Sequence, residues 1–221
     1  MAPPPHRSHG AQGDRLLPAL FAHRCPGCGQ LRSGRCDYCR TLLAHLPDGV
    51  APPGFTAARV YEGLVRDLIT GLKYANGTYA VGLLAEVLDD VHARIGPVDL
   101  ITWAPTWRGR RHRRGFDQAE QLARAVGRRW RVPVRGLLVR DTRASQTGRS
   151  RGERLGGPRF RSRSAARWAH VVVLDDVVTT GGTLASAIEA VRRAGAPRVS
   201  AVAVAATPLP AALTQAGRPV P

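Results

Sequence analysis

The stretch His170–Gly195, HVVVLDDVVTTGGTLASAIEAVRRAG, decides the fold of this 221-residue chain. It consists of an aliphatic strand over Val171–Leu174, two aspartates, a turn of small residues and a helix whose end Gly195 can cap in the left-handed conformation. Three apolar residues recur at helical spacing in that last part, Leu184, Ile188 and Val191. The order predicts a strand–turn–helix unit of an α/β fold. Its polar residues fall at the carboxyl end of a strand, where open α/β sheets bind ligands.

The turn after this strand is rich in groups that bind phosphate. Backbone N–H groups and hydroxyls can wrap a phosphate there, and the start of the following helix adds partial positive charge. Asp175 and Asp176 would repel a bare phosphate, but they suit a ligand that also offers hydroxyl donors and Mg²⁺. A ribose 5-phosphate therefore fits the turn, which comprises Val178, Thr179, Thr180, Gly181, Gly182 and Thr183. The alternative is an ordinary strand–turn–helix corner with aspartates near the helix start.

Outside this unit, predicted strands and helices alternate along the chain. Apolar runs predict strands near 57–61, 98–104, 134–139 and 199–206. Helical spacing predicts helices over 62–73, 81–95 and 116–130. Residues 141–167 are polar and without sustained periodicity, which predicts a mobile excursion. Alternation of this kind indicates a mostly parallel sheet built from right-handed crossover units.

All four cysteines fall within fifteen residues, as the pairs Cys25/Cys28 and Cys36/Cys39. Two CxxC pairs can present four thiolates tetrahedrally to one Zn²⁺. Two disulfides or a redox pair are the alternatives, but disulfides are uncommon in a reducing cytosol. Because cysteines would fill all four ligand positions, we predict a structural zinc without an open catalytic position.

Positive charge is concentrated in the middle of the chain. The net charge is +17, and residues 101–170 hold nineteen arginines against four acidic residues, a net of +15. A field of this sign attracts polyphosphates or nucleic acid. A solvated surface in a protein whose composition is biased toward arginine is the alternative.

The composition also predicts how the chain is divided. We expect a disordered tail over 1–19, a zinc-binding module over 20–47, an α/β domain over 55–206 and a C-terminal tail over 207–221. The first residues lack the apolar core of a signal peptide, and no apolar stretch approaches the length of a membrane span. We therefore expect a cytoplasmic protein.

The segment Val171–Thr183 resembles, at every position, the signature with which type I phosphoribosyltransferases bind phosphoribosyl pyrophosphate (PRPP). Other motifs precede it in a fixed order: the four-cysteine module, Leu72-Lys73-Tyr74, Trp103-Ala104-Pro105, Arg114-Gly115-Phe116-Asp117-Gln118, and Gln146…Arg154…Phe160. That order is similar to the ComF family of competence-associated proteins, and the resemblance covers about residues 20–206. This family usually has asparagine at the position of Asp117 and another asparagine shortly after the position of Arg154.

The resemblance implies a type I phosphoribosyltransferase-like core that binds PRPP together with Mg²⁺. Enzymes of this type displace pyrophosphate from the anomeric carbon of PRPP with a nitrogen nucleophile. The segment Asp175–Thr183 would bind the ribose and its phosphate, and Asp175 and Asp176 are the candidate catalytic residues. The sequence does not identify the nitrogenous acceptor. A homodimer is common among relatives of this fold.

The resemblance also indicates candidate contacts for the pyrophosphate. Relatives hold it in the loop that follows the strand at 101–105, and guanidinium groups bind phosphate oxygens in bidentate fashion. Residues 141–167 are the candidate hood that closes over PRPP and excludes water. The candidates in these segments are Arg108, Arg111 and Arg114 in the loop and Gln146 and Arg154 in the hood. Lys73, the only lysine, is either a ligand contact or a chance survivor of the arginine bias.

Two functions remain open at this point. One is a phosphoribosyltransferase acting on PRPP. The other is a non-catalytic protein that handles single-stranded DNA in DNA uptake, competence or recombination, with a regulatory or vestigial PRPP site. The basic segment supports the second function, as do four tryptophans that can stack on bases but are more often core residues: Trp103, Trp107, Trp130 and Trp168.

Overall fold

The computed structural model describes residues 23–32, 34–72, 78–106, 117–140 and 158–208. In chain order they form β1 (His23–Arg24), β2 (Leu31–Arg32), α1 (Asp37–Ala44), β3 (Phe55–Val60), α2 (Gly63–Gly71), α3 (Thr78–Glu86), α4 (Asp89–Ile95), β4 (Leu100–Trp103), α5 (Gln118–Trp130), β5 (Leu138–Arg140), β6 (Phe160–Ser162), β7 (His170–Val178), α6 (Gly182–Arg193) and β8 (Arg198–Ala206).

The main sheet has four parallel strands in the order β3-β8-β7-β4. Strand β7 lies inside the sheet, with Val173 opposite Ala201 of β8 and Leu174 opposite Trp103 of β4. Because neighbouring strands are parallel, their carboxyl ends lie along one edge of the sheet, where the chain leaves β7 after Val178 and β4 after Trp103. The predicted α/β fold with a parallel sheet is confirmed.

The two faces of the sheet bury separate hydrophobic cores. Val172 and Leu174 of β7 face a first core that also contains residues of α2, α3 and α5. Val171 and Val173 face a second core, built with residues of α6. This is the alternation expected of a strand covered on both faces. The alternation is displaced by one residue across the two aspartates, because Val177 packs against the first core and Val178 lies in the second.

The outer edges of the sheet are approached by other parts of the chain. Ile101 of β4 accepts a hydrogen bond from the backbone N–H of Arg135 at 3.0 Å and donates one to Pro133 at 2.9 Å. Val134 forms a parallel bridge with Ile101 between those two bonds. On the opposite edge, Gly49 lies so close to the carbonyl of Arg59 in β3 that a Cβ atom at residue 49 would collide with it.

The four-cysteine segment packs directly onto the α/β core. A Cβ at Gly27 would collide with Leu64 of α2, and one at Gly71 would collide with Pro26. The cysteines and Leu43 of α1 belong to the same hydrophobic cluster as α2 and α3. The predicted division into a module over 20–47 and a domain over 55–206 remains a prediction, and the two parts share one core.

The structure differs from the predicted elements in four places. The strand predicted over 134–139 is an isolated bridge at Val134 followed by β5, which belongs to a separate antiparallel pair. The helix predicted over 81–95 is two helices, α3 and α4, because the chain turns at Val87 and Leu88. The strand predicted over Val171–Leu174 continues through both aspartates to Val178. The mobile excursion predicted over 141–167 is wrong for its last part, where β6 pairs with β5 and Phe160 is buried; residues 141–157 lie outside the described part.

Within the described residues, no helix combines the length and apolar character needed to cross a bilayer.

Candidate functional site

The turn predicted to bind phosphate forms a small concavity at the carboxyl edge of the sheet. The main chain leaves β7 at Val178, passes the exposed Thr179 and Thr180, and enters α6 at Gly182. The first N–H groups of a helix have no partner within the helix, so those of α6 are free to bind an anion. The concavity is lined by Asp175, Val177, Val178, Thr179, Thr180, Gly181, Gly182, Thr183 and Leu184.

The two aspartates occupy different positions relative to that concavity. Asp175 is among its lining residues, whereas Asp176 is not. Each carboxylate accepts a hydrogen bond from the next backbone N–H, Asp175 from Asp176 at 2.9 Å and Asp176 from Val177 at 2.8 Å. Burial raises the pKa of Asp175 well above its usual range, and the charges of Asp176 and then Asp117 raise it further. A carboxyl group in this setting favours a ligand that brings hydroxyl donors or a cation.

Gly181 determines the shape of the turn. It is the N-cap of α6 with φ = 81°, a conformation that glycine adopts at much lower cost than other residues. A Cβ at this position would lie 2.5 Å from Cε2 of Phe55 and 2.8 Å from its Cζ. Phe55 is the first residue of β3 and packs against the second core. Its ring therefore limits the space behind the phosphate-binding turn.

A buried carboxylate joins the start of α5 to Thr106, which follows β4. Asp117 is 3% exposed and is the N-cap of α5, accepting from the backbone N–H of Ala119 at 3.1 Å. It also accepts from the backbone N–H of Thr106 at 3.0 Å and from the Thr106 hydroxyl at 3.3 Å. Thr106 follows β4 two residues after Ala104, which donates to the carbonyl of Leu174 in β7.

Six of the predicted contacts lie outside the described residues. They are Lys73, Arg108, Arg111, Arg114, Gln146 and Arg154. Their proposed roles at the pyrophosphate and in the hood stay predictions.

The four cysteine sulfurs converge on one point. The ligand atoms of Cys25, Cys28, Cys36 and Cys39 all lie within 4.8 Å of one another, and all four are free thiols. The Sγ atoms of Cys25 and Cys39 are 3.6 Å apart, as are those of Cys28 and Cys36. Tetrahedral zinc with Zn–S bonds of about 2.3 Å requires S···S distances of about 3.8 Å. The cluster therefore has the donor atoms and the spacing to hold one structural Zn²⁺.

The thiols differ in how readily they ionise. Burial raises the pKa of Cys39, and the neighbouring thiols of Cys25, Cys28 and Cys36 raise it further. Burial also opposes ionisation of Cys36, but the backbone N–H of Cys39 and the other thiols outweigh it and lower the pKa of Cys36 to about 7. Because the thiolate is the metal-binding form, the surroundings of Cys36 favour the form that binds a metal.

Two residues that shape the site were not predicted. Phe55 bounds the phosphate-binding turn from a strand more than 120 positions away, and no local pattern marks that contact. The sequence could have indicated Asp117 as an N-cap residue, because it directly precedes the apolar spacing of α5 and aspartate is preferred at that position. The hydrogen bonds between Asp117 and Thr106 could be recognised only in the folded structure.

Comparison with protein families identifies a phosphoribosyl transferase domain over residues 112–215. The chain is 30% identical over 191 residues to the DNA utilization protein YhgH of Escherichia coli K12, a match covering 79% of this chain and 80% of that protein. It is 32% identical over 166 residues to an adenine phosphoribosyltransferase of Clavibacter michiganensis, covering 72% of this chain and 78% of that one.

Among solved structures, the chain is similar to the glutamine PRPP amidotransferase from B. subtilis. The two are 18% identical with a TM-score of 0.42, and the match covers 62% of this chain and 30% of that chain.

Proposed function

This chain belongs to the family of the DNA utilization protein YhgH, a ComF-like family with a phosphoribosyltransferase domain, and we propose that it binds PRPP at the turn after β7. Asp175 and Asp176 bind the ribose hydroxyls together with Mg²⁺, and the backbone and hydroxyls of Val178–Thr183 bind the 5-phosphate. The pyrophosphate extends toward Thr106 and the residues that follow β4.

We further propose that the bound PRPP reacts with a nitrogenous acceptor. The acceptor nitrogen forms a bond to the anomeric carbon, and the bond to pyrophosphate breaks, so pyrophosphate leaves with the electron pair. A proton on the acceptor nitrogen passes to the leaving pyrophosphate or to water. Mg²⁺ would neutralise part of the charge on the leaving pyrophosphate. The chain's own contribution is to hold the sugar and phosphate in a fixed orientation, which lowers the entropic cost of the step.

One observation carries this proposal: Asp175 lines the same concavity as the Thr179–Thr183 turn and the start of α6. The start of a helix and a carboxylate are thus combined at one place, as a ligand with both a phosphate and hydroxyl groups would require. An ordinary helix start would provide the N–H groups alone, and the raised pKa of Asp175 is a cost that a purely structural corner would avoid.

Calorimetric titration with PRPP and Mg²⁺ tests the binding site. Replacing Asp175 and Asp176 together by alanine should weaken PRPP binding strongly, because the ribose hydroxyls lose their acceptors. The matched control is the double variant Asp37→Ala/Glu189→Ala, which removes the same charge from exposed positions on α1 and α6. Equal affinity in the parent and the site variant would refute the proposal.

A screen for pyrophosphate release then tests turnover. Adenine belongs in the acceptor set because a relative that is 32% identical is named an adenine phosphoribosyltransferase, together with other purines, pyrimidines and ammonia. If PRPP binds but no acceptor causes pyrophosphate release, the proposed binding site is supported and the proposed transferase activity is rejected.

A second candidate function is the handling of single-stranded DNA, with PRPP as a regulatory ligand. It is favoured by a group of exposed arginines around the β5–β6 hairpin and by the name of the E. coli relative. One of these arginines, Arg167, lies 4.6 Å from the ring of Trp168. The other exposed arginines are Arg135, Arg159, Arg161 and Arg163.

Fluorescence anisotropy with a labelled oligonucleotide tests this second function. Binding through phosphates should weaken steeply between about 50 mM and 200 mM salt because bound counterions are released. Binding that is absent, or that does not respond to salt, would remove this candidate.

We propose that the cysteine cluster holds structural zinc, and that the division at residues 47–55 separates the zinc module from the transferase domain. A cytoplasmic location is part of the same proposal, since four neighbouring free thiols suit a reducing compartment. A homodimer is the assembly we propose to test by light scattering.

A further inference from the structure

The buried carboxylate of Asp117 joins two parts of the chain at the carboxyl edge of the sheet. One oxygen accepts from the backbone N–H of Ala119 at 3.1 Å and from the hydroxyl of Thr106 at 3.3 Å. The other accepts from the backbone N–H of Thr106 at 3.0 Å. Thr106 and Asp117 are also the described residues on either side of 107–116. A single side chain therefore fixes both flanks of that segment.

The position of this clamp relative to β7 connects it with the ribose–phosphate site. Trp103 of β4 pairs with Leu174, and the N–H of Ala104 donates to the carbonyl of Leu174 at 3.1 Å. Thr106 comes two residues later, beside the strand that carries Asp175. Asp117, bonded to Thr106, therefore lies at the same edge of the sheet as Asp175, and its charge is one cause of the raised pKa of Asp175.

We propose that Asp117 is a positioning residue that holds Thr106 where the pyrophosphate half of PRPP binds, and so decides whether the site binds PRPP more tightly than ribose 5-phosphate. This inference rests on the proposed PRPP site. It concerns Thr106 and Asp117 alone and requires no contact from residues 107–116.

Hydrogen-bond chemistry explains what the carboxylate of Asp117 contributes in this chain, where relatives usually have asparagine. Both oxygens of an aspartate accept hydrogen bonds, whereas the asparagine side chain has one accepting oxygen and an NH₂ group that only donates. Asparagine is as good an N-cap as aspartate, so an Asp117→Asn variant keeps its bond to Ala119. The NH₂ group then replaces the oxygen that accepts from the N–H of Thr106, and because NH₂ only donates, that bond is lost and the backbone position is released.

The positional and electrostatic effects of the variant have opposite signs. Removal of a negative charge near Asp175 should strengthen the binding of any anionic ligand. Release of Thr106 should weaken only a ligand that carries the pyrophosphate. A comparison of PRPP with ribose 5-phosphate in the same variant therefore separates the two effects.

The test is a calorimetric titration of the parent and Asp117→Asn with each ligand and Mg²⁺. We expect PRPP binding to weaken by about tenfold, the effect of one hydrogen bond, while binding of ribose 5-phosphate is unchanged or strengthened. The melting temperature should stay close to that of the parent because the N-cap is kept. Thr106→Val, which removes only the hydroxyl, should give a smaller loss in PRPP binding than Asp117→Asn.

Two results would overturn the proposal. If Asp117→Asn binds both ligands more tightly, charge dominates and Asp117 positions nothing. If both affinities and the melting temperature are those of the parent, Asp117 is only a helix cap. Amide hydrogen exchange gives a reading that does not depend on the ligand, since the Thr106 amide should exchange faster in the variant while the Ala119 amide stays protected. A parent that fails to bind PRPP would refute the proposed function, and the exchange experiment would still test the clamp.

Discussion

The contact between Gly181 and Phe55 predicts the cost of adding one methyl group to the phosphate-binding turn. Gly181 has φ = 81°, and a Cβ there would lie 2.5 Å from the ring of Phe55. A side chain in the left-handed conformation costs about 1–2 kcal/mol. Relieving a contact that is about 1 Å too short in packed surroundings costs about a further 1–3 kcal/mol. We therefore expect Gly181→Ala to lower the free energy of unfolding by about 2–5 kcal/mol.

The chain provides a matched control for the conformational part of that cost. Gly54 has φ = 86°, and a Cβ there would meet no atom within 4 Å. Gly54→Ala should therefore cost only about 1–2 kcal/mol. The difference between the two variants measures the collision with Phe55.

Urea unfolding of a double-mutant cycle completes the measurement. In a Phe55→Ala background the collision disappears, so the penalty of Gly181→Ala should fall to that of Gly54→Ala. The same variant should bind PRPP less tightly in the parent background, because the turn must move away from the ring. If Gly181→Ala costs no more than Gly54→Ala, or costs the same with and without Phe55, the ring does not bound the turn.

Three further predictions concern other parts of the molecule. Cys39→Ser should abolish zinc binding and destabilise the whole fold by more than about 2 kcal/mol. Thermal unfolding followed by tryptophan fluorescence would detect this, and unchanged stability would mean that the cluster is not structural. Asp175→Asn should flatten the dependence of stability on pH. Burial raises the pKa of Asp175 in the folded state, so the parent loses stability as the pH rises from about 4 through that raised pKa. In urea unfolding at several pH values, the variant should match the parent near pH 4 and exceed it increasingly as the pH rises, and a difference of opposite sign would contradict the assignment. Arg59→Met should cost about 2 kcal/mol in the same assay, because Arg59 is 4% exposed and donates to the carbonyl of Leu43 at 3.0 Å; a cost near zero would show that Met packing replaces the lost hydrogen bonds.

The sequence predicts local structure well where the physical cause is local. The aliphatic run of β7, the helical spacing of α6 and the left-handed Gly195, with φ = 99°, all follow from neighbouring residues. The spacing of the cysteines likewise predicted their convergence, because two CxxC pairs leave few other arrangements of four thiols. In these cases pattern and structure report the same short-range constraints.

The remaining differences arise where the local pattern is ambiguous or where residues distant in the sequence determine the structure. The break between α3 and α4 falls inside an apolar pattern that continues across it, so periodicity alone gave a single helix. Aspartates are uncommon inside strands, so the local pattern predicts that the strand ends at Leu174. Here the parallel pairing of Asp175 with Ala203 and of Val177 with Ala205 outweighs the local preference.

The covered edges of the main sheet determine how this protein can meet other chains. An open edge strand is a template for another strand, and natural sheets hide or interrupt such edges to avoid aggregation. The hydrogen bonds of Ile101 with Pro133 and Arg135 occupy one edge, and the close approach of Gly49 to Arg59 obstructs the other. Addition of a partner's strand is therefore disfavoured at both outer edges of the main sheet. A partner protein would instead have to bind side chains and loops. The substitution Gly49→Val would force that segment away from β3 and expose the edge of this strand. We then expect the protein to self-associate through that edge.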